Sequence, residues 1–253
     1  MYWEQLTSPQ IKASDKKNPV ILPIAAIEQH GDHLPLATDR LIGEHFCREL
    51  NQLIPNDVLI LPTISVGCSE HHTDFEGSLS VQHETLLKQM TDIAGCVAKY
   101  DFENLVVLNS HGGNQAIGQI FVEAFGFRHP QCKIAMITWW RLCLEELIKI
   151  TETSKGGTGH AGEFETSLML LIAPDLVQAD KIGLKTNVPT FSWAEADMLH
   201  GPKVSLFRTM KAMTPGGVFG EAASGTKEKG VKITRVVVDA LKQVILDLRQ
   251  HSS

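Results

Sequence analysis

The chain has 253 residues, enough to bury a substantial core, and its 43% hydrophobic and 21% charged content reads as ordered and globular. A formal charge of −6 argues against a nucleic-acid binder, which needs a basic surface to neutralise phosphates. No run approaches the roughly 20 uninterrupted apolar residues of a membrane helix. The five cysteines are widely spaced and never form a C-x-x-C pair, so neither a disulfide framework nor a thiolate zinc site is expected. The segment Met1-Tyr2-Trp3-Glu4-Gln5 lacks the basic and apolar regions of a signal peptide, and a reducing cytoplasm is the expected location.

The first strand is expected at 18–26, where Val20, Ile21, Leu22 and Ile24 form an apolar run. It leads directly into Glu28-Gln29-His30-Gly31-Asp32-His33-Leu34-Pro35-Leu36-Ala37-Thr38-Asp39. A strand delivering a carboxylate, an imidazole and a second carboxylate into a polar loop is how a rigid scaffold presents an active site. Glu28 and His30 lie two apart in a strand-like exit, so both can point to one side. Asp39 returns after the turn, in a position to bridge two ions. The bland readings are a salt-bridged strand end for Glu28 and His30 and a helix N-cap for Asp39. The crowding of so many polar and glycine residues in one loop favours the site.

A helix is expected over about 39–54, a strand over 57–61, then a polar loop with Ser69, His71 and His72, then a helix over 83–100. The continuous apolar strand 104–109 implies a sheet covered on both faces. Asn109-Ser110-His111-Gly112-Gly113-Asn114 follows it. The plain reading there is a strand-to-helix turn capped by Asn114. The preferred one places glycines beside His111 so that substrate can approach the backbone. No G-x-G-x-x-G pattern or P-loop lysine supports a phosphate loop. Further expected elements are a helix at 114–127, a strand at 132–138 and helices at about 141–151, 163–173 and 227–250. Trp139 and Trp140 suit a core, or one of them a pocket wall. Gly159-His160-Ala161-Gly162-Glu163-Phe164-Glu165-Thr166-Ser167 sets His160 on a glycine-flanked loop ahead of Glu165 on the helix. For Glu165 the bland reading is placement near a helix N-terminus.

Alternating strands and helices imply right-handed βαβ units and an α/β fold, a single domain over 1–253 with a mainly parallel sheet. The segment 183–225, rich in Gly, Pro and Ser, reads as an excursion or lid. Ligands of such sheets gather at the carboxyl ends of the strands, where the first two polar motifs fall. Glu, Asp and His suit Zn²⁺, Mn²⁺ or Fe²⁺.

Taken together, Glu-x-His-Gly-x-His-Leu-Pro-x-x-x-Asp, Asn-x-His-Gly-Gly-Asn and Gly-His-x-Gly-x-x-Glu-Thr-Ser, in this order from about Leu22 to Ala173, resemble the creatininase (creatinine amidohydrolase) family. The resemblance implies a three-layer α/β/α sandwich and a homo-oligomer, a hexamer in the family's namesake. It also implies two divalent ions per subunit, Zn²⁺ first and Mn²⁺ or Fe²⁺ as alternatives, that hold a hydroxide for hydrolysis of a non-peptide amide bond in a small molecule. By the same resemblance Glu28 and His111 serve one ion, His30 the other, and Asp39 bridges them. His160 matches the catalytic histidine and Trp140 a pocket tryptophan.

The chain departs from the namesake at Gly113, where a metal-binding glutamate stands, and at Gly159, where another glutamate stands. The second ion then needs a replacement carboxylate, for which Glu165 is the choice and Glu163 stands behind it; Glu163 is also placed with His160 and Ser69 among the expected catalytic residues. Ser69, or the backbone of the Ser110, Gly112 and Gly113 turn, is expected near the developing oxyanion. These departures keep the hydrolase chemistry but do not favour creatinine. Within the family the alternatives are a formamide hydrolase acting on a formylamino-pyrimidine and a peptidase-like enzyme. Outside it stand a non-catalytic metal- or ligand-binding module and a phosphate-binding enzyme using the glycine loop.

Overall fold

Four parallel strands carry the site, in the order β2-β1-β3-β4. They are β1 (Val20–Ile24), β2 (Leu59–Ile60), β3 (Asn104–Asn109) and β4 (Lys133–Thr138). The computed structural model describes residues 1–183 and 187–251, so residues 184–186 of the expected excursion lie outside the described residues. Every residue of β1 and β3 is buried, the result of covering both faces of the sheet. Pro23 is tolerated in this central strand because β2 has already ended beside it: the pairing stops at Ile21 with Ile60.

The helices are α1 (Ser8–Ala13), α2 (Thr38–Leu53), α3 (His83–Lys99), α4 (Gln115–Arg128), α5 (Trp139–Leu142), α6 (Leu144–Ile148), α7 (Glu163–Ile172), α8 (Met210–Met213) and α9 (Lys227–Gln250). Alternating strand residues divide the core in two. Ile21, Ile60, Val106 and Leu108 face Phe46 of α2, Phe164 and Leu168 of α7, and Ile233, Val237 and Leu241 of α9. Val20, Leu22, Leu59, Leu105 and Val107 face Leu86 and Met90 of α3 and Phe121 and Phe125 of α4. The result is the expected α/β/α sandwich. No helix among the described residues is long and apolar enough to cross a membrane.

Two expectations change. The helix expected over about 141–151 is two short pieces, α5 and α6, broken at Cys143 with φ −130° and ψ 46°. Trp139 and Trp140 start it directly at the end of β4, because both indoles are buried. The short helix α1 was not anticipated, although Thr7 and Gln10 form a capping box around Pro9.

Helix α2 leads from β1 to β2 on one face, and α3 leads from β2 to β3 on the other. The chain therefore leaves β1 and β3 toward opposite edges, which opens a crevice beyond their carboxyl ends.

Candidate metal centre and its cavity

Two asparagines brace the loops around that crevice. The Asn109 side chain staples the turn after β3, its Oδ1 accepting from the His111 N–H at 3.1 Å and its Nδ2 donating to His111 O at 2.7 Å. Asn114 does not cap α4; its Oδ1 accepts from the Cys68 N–H at 3.0 Å and its Nδ2 donates to Ala25 O at 3.0 Å. One amide thus ties together the loops after β1, β2 and β3. Asp39 falls inside the first turn of α2, which starts at Thr38, rather than at its N-cap.

The two oxygens of Asp39 face two different imidazoles. Oδ1 lies 3.3 Å from His30 Nε2, and Oδ2 lies 3.0 Å from His111 Nδ1. On the His111 side, Glu28 Oε1 stands 3.3 Å from the same Nδ1. On the His30 side, Glu165 Oε2 stands 3.7 Å from His30 Nε2. Backbone carbonyls settle the tautomers: His30 Nδ1 donates to Glu28 O at 3.0 Å, and His111 Nε2 donates to Cys68 O at 3.1 Å. Each ring thereby turns a lone pair toward the carboxylates, the arrangement that orients metal-binding histidines.

This donor set fits divalent cations. Glu28 Oε2, His30 Nε2 and Asp39 Oδ2 are buried without a hydrogen bond, which is costly unless something else satisfies them. Three groups of donors each lie within 4.8 Å of one another: Glu28, Asp39 and His111; His30, His160 and Glu165; and Glu28, His72 and His160. Carboxylate and imidazole donors suit Zn²⁺, Mn²⁺ or Fe²⁺.

Without a cation, protons take over the role of positive charge. Burial would lower the pKa of His30, but Asp39 and Glu165 outweigh it and raise it well above the usual value. Burial likewise opposes His111, and Glu28 and Asp39 raise it well above. Asp39 is held low because the two imidazoles overcome its burial. His160 goes the other way: burial, reinforced by His30, lowers it to about 3. His160 Nε2 donates to Gln29 O at 2.7 Å, and its Nδ1 faces Glu28 Oε1 at 3.6 Å.

These groups open into a cavity of about 570 Å³, walled by Trp140, Gly112, Gly113 and His71 on one side and by the segment from Thr190 to Phe219 on the other. The described part of the expected excursion therefore contributes to the lining of the site. Glu28, Asp39, His111, His160 and Glu165 line it, and His30 sits fully buried behind them.

Besides His30, three expected site residues do not reach the cavity. Ser110 is buried, with its hydroxyl on Ile24 O at 3.3 Å. Ser69 is buried behind His111, its Oγ 3.4 Å from His111 Nε2. Glu163 points away: Lys229 Nζ at 2.7 Å, Thr151 Oγ1 at 2.6 Å, Thr153 Oγ1 at 2.7 Å and the Glu152 N–H at 3.0 Å occupy its carboxylate. A carboxylate so engaged is a structural anchor, and the catalytic role expected for it is withdrawn.

Two contributors were missed. His72, read as part of a polar loop, brings its Nε2 to 3.3 Å from Glu28 Oε1. Gln29 Nε2 donates to His72 Nδ1 at 3.0 Å, and the Gln29 backbone carbonyl accepts from His160 Nε2 at 2.7 Å. The usable signal was position, since His72 follows β2 at the same sheet end as the other donors.

A family model described as creatinine amidohydrolase matches residues 4–245. The chain is 30% identical over 230 residues to the mycofactocin precursor peptide peptidase of Mycobacterium ulcerans (strain Agy99), covering 87% of this chain and 81% of that protein. It is 26% identical over 241 residues to the creatinine amidohydrolase of Pseudomonas putida, covering 89% and 88%. A solved creatinine amidohydrolase (creatininase) shares the fold with a TM-score of 0.80 at 23% identity, covering 97% of this chain and 96% of that one.

Proposed function

This chain belongs to the creatininase family, and from that premise we propose that it is a metal-dependent amidohydrolase cleaving a C–N amide bond with two divalent ions per subunit. The observation that carries the proposal is the divided carboxylate of Asp39, one oxygen toward His30 and the other toward His111. Glu28, Asp39 and His111 would hold one ion, and His30, Asp39 and Glu165 the other. Zn²⁺ is the first choice, with Mn²⁺ or Fe²⁺ accepted by the same donors. When bound, such a pair supplies Lewis acidity and lowers the pKa of water.

The chain's own groups do the rest. Trp140 walls the substrate, and the backbone N–H groups of Gly112 and Gly113 offer donors to an oxyanion. His160 is neutral, with Nε2–H tied to Gln29 O, so its Nδ1 first accepts a proton and then hands it to the leaving nitrogen. Ser69 supports His111 from behind rather than touching substrate.

A small non-peptide amide is the leading substrate class. A peptidase-like reading draws support from the cavity, whose volume of about 570 Å³ exceeds what a single five-membered ring fills. The test has two parts. Metal analysis of protein purified without added metal should give two ions per chain, and Asp39→Ala should lose both together with turnover. Full metal content and activity in that variant would sink the proposal. An amide panel read for formate, creatine and free amino acid then separates the substrate classes.

A further inference from the structure

We infer that the mouth of the cavity is an anion-recognition site built on Arg141 and Arg208, selecting amides that carry a carboxylate away from the scissile bond. Both arginines line the cavity whose floor is Glu28, Asp39 and Glu165. Arg141 follows Trp140 in α5, and its Nε donates to Gln115 Oε1 at 2.8 Å. Gln115 Nε2 in turn donates to Gly112 O at 3.3 Å. This chain of bonds ties the guanidinium to the same glycine turn that follows His111. It leaves the terminal NH1 and NH2 edge without a partner among the described residues.

Arg208 comes from the segment between Thr190 and Phe219 that lines the same cavity. One of its NH2 groups donates to Ala212 O at 2.6 Å, and it forms no ion pair among the described residues. Arg40, Arg48 and Arg249, by contrast, each pair with a carboxylate. In a chain with 29 acidic and 23 basic residues, Arg141 and Arg208 share one cavity without a carboxylate partner among the described residues, although Arg128 and Arg235 elsewhere on the chain are equally without one. An exposed arginine without a partner is ordinary by itself. What distinguishes Arg141 is the brace from Gln115, which holds the fork in one plane before any ligand arrives. A planar fork of parallel N–H donors matches a carboxylate, and lysine would not reproduce it.

Polarity is thereby divided along the cavity. Its acidic floor attracts cations, and its mouth attracts an anion. Calling that anion a substrate group rests on the amidohydrolase reading; the anion site itself does not.

The test uses the metal-loaded protein and two matched probes, 3-phenylpropionate and the neutral 3-phenylpropionamide, titrated by calorimetry at low salt. Wild type is expected to prefer the carboxylate by tenfold or more. Arg141→Gln should erase most of that preference, Arg208→Gln part of it, and Arg141→Lys should recover only part. A preference that survives both glutamine variants would place the carboxylate on the ions and overturn the inference, as would equal or absent binding of both probes by wild type. Metal content and amide hydrolysis are measured on the same preparations. Intact hydrolysis with no arginine dependence defeats the anion site alone. Arginine-dependent binding with no hydrolysis of any amide defeats the amidohydrolase reading instead.

Discussion

In the proposed mechanism His160 is the residue whose protonation decides the chemistry. In the metal-free protein burial, reinforced by His30, lowers its pKa to about 3, so the imidazole is neutral there and can accept a proton before it donates one. His160→Ala is expected to keep both ions while kcat falls by roughly 10²–10⁴-fold, the usual worth of a positioned proton carrier. Elemental analysis alongside steady-state kinetics checks this, and loss of an ion would make His160 a ligand. Glu165 carries the second residue-scale prediction. Gly113 has no room for a side chain, because a Cβ there would lie 2.2 Å from Cys68 O and 2.5 Å from His111 Nε2. The glutamate found at that position in the family's namesake therefore cannot be accommodated without moving the Cys68 carbonyl that orients His111. On the proposed assignment Glu165 would reach the same ion from α7 instead, so Glu165→Gln should lower the metal content from two ions to one while Asp39→Ala removes both. Glu28, His30, Asp39 and His111 were legible because they sit in motifs at strand ends. His72 and Gln29 were not, because their meaning depends on how the loops after β1 and β2 meet in space.

At the scale of elements, the loop that bears His160 is held by a clasp outside the cavity. Lys229, buried near the start of α9, places Nζ 2.7 Å from Glu163, 2.8 Å from Glu152 and 2.7 Å from Ser224 O. Glu163 in turn gathers Thr151 and Thr153, which closes residues 151–163 into one bonded unit. Ala161 takes a positive φ of 54° within this unit, and its N–H donates to Glu165 Oε2 at 2.6 Å. Removing one partner of a buried ion pair costs about 3–5 kcal/mol. Lys229→Met is therefore expected to destabilise the protein by about 3 kcal/mol in urea unfolding, toward the lower end because Glu152 is exposed. Its kcat should fall as His160 loses its fixed place, and unchanged unfolding would show that the clasp is ornamental. The sequence pattern made Glu163 look catalytic because it lies beside His160 and two before Glu165. Helix geometry separates them: residues two apart on a helix face different ways, so Glu165 enters the cavity and Glu163 meets α9. The strand and helix order was readable from apolar periodicity for the long elements α2, α3, α4 and α9. The break at Cys143 was not, since the burial of two adjacent indoles overrides local pattern.

For the whole molecule, the buried histidines fall into two sets that pull stability in opposite directions with pH. In metal-free protein, His30 and His111 have raised pKa values, so their stabilisation is complete below the unfolded value of about 6.5 and is lost as pH rises through the raised ones. His33 and His45, lowered to about 4, and His160, lowered to about 3, are buried neutral. For them the unfolded state binds more protons between about 6.5 and those values, so their contribution is lost as pH falls through that window. Asp39, held low, adds a loss only at more acidic pH. Divalent ions change one set alone. As the proposed ligands, His30 Nε2 and His111 Nδ1 would be contested by ions and protons, so affinity should climb with pH by up to about tenfold per unit for each displaced proton. Because a ligand that binds only the folded state stabilises it in proportion to the logarithm of its affinity, the gap in Tm between metal-loaded and chelator-treated protein should widen as pH rises from about 6 to 8. Thermal unfolding of both forms at fixed free metal concentration across that range reads the gap directly. A gap independent of pH would mean that protons and ions do not share those nitrogens, and the assignment of His30 and His111 as ligands would have to be abandoned.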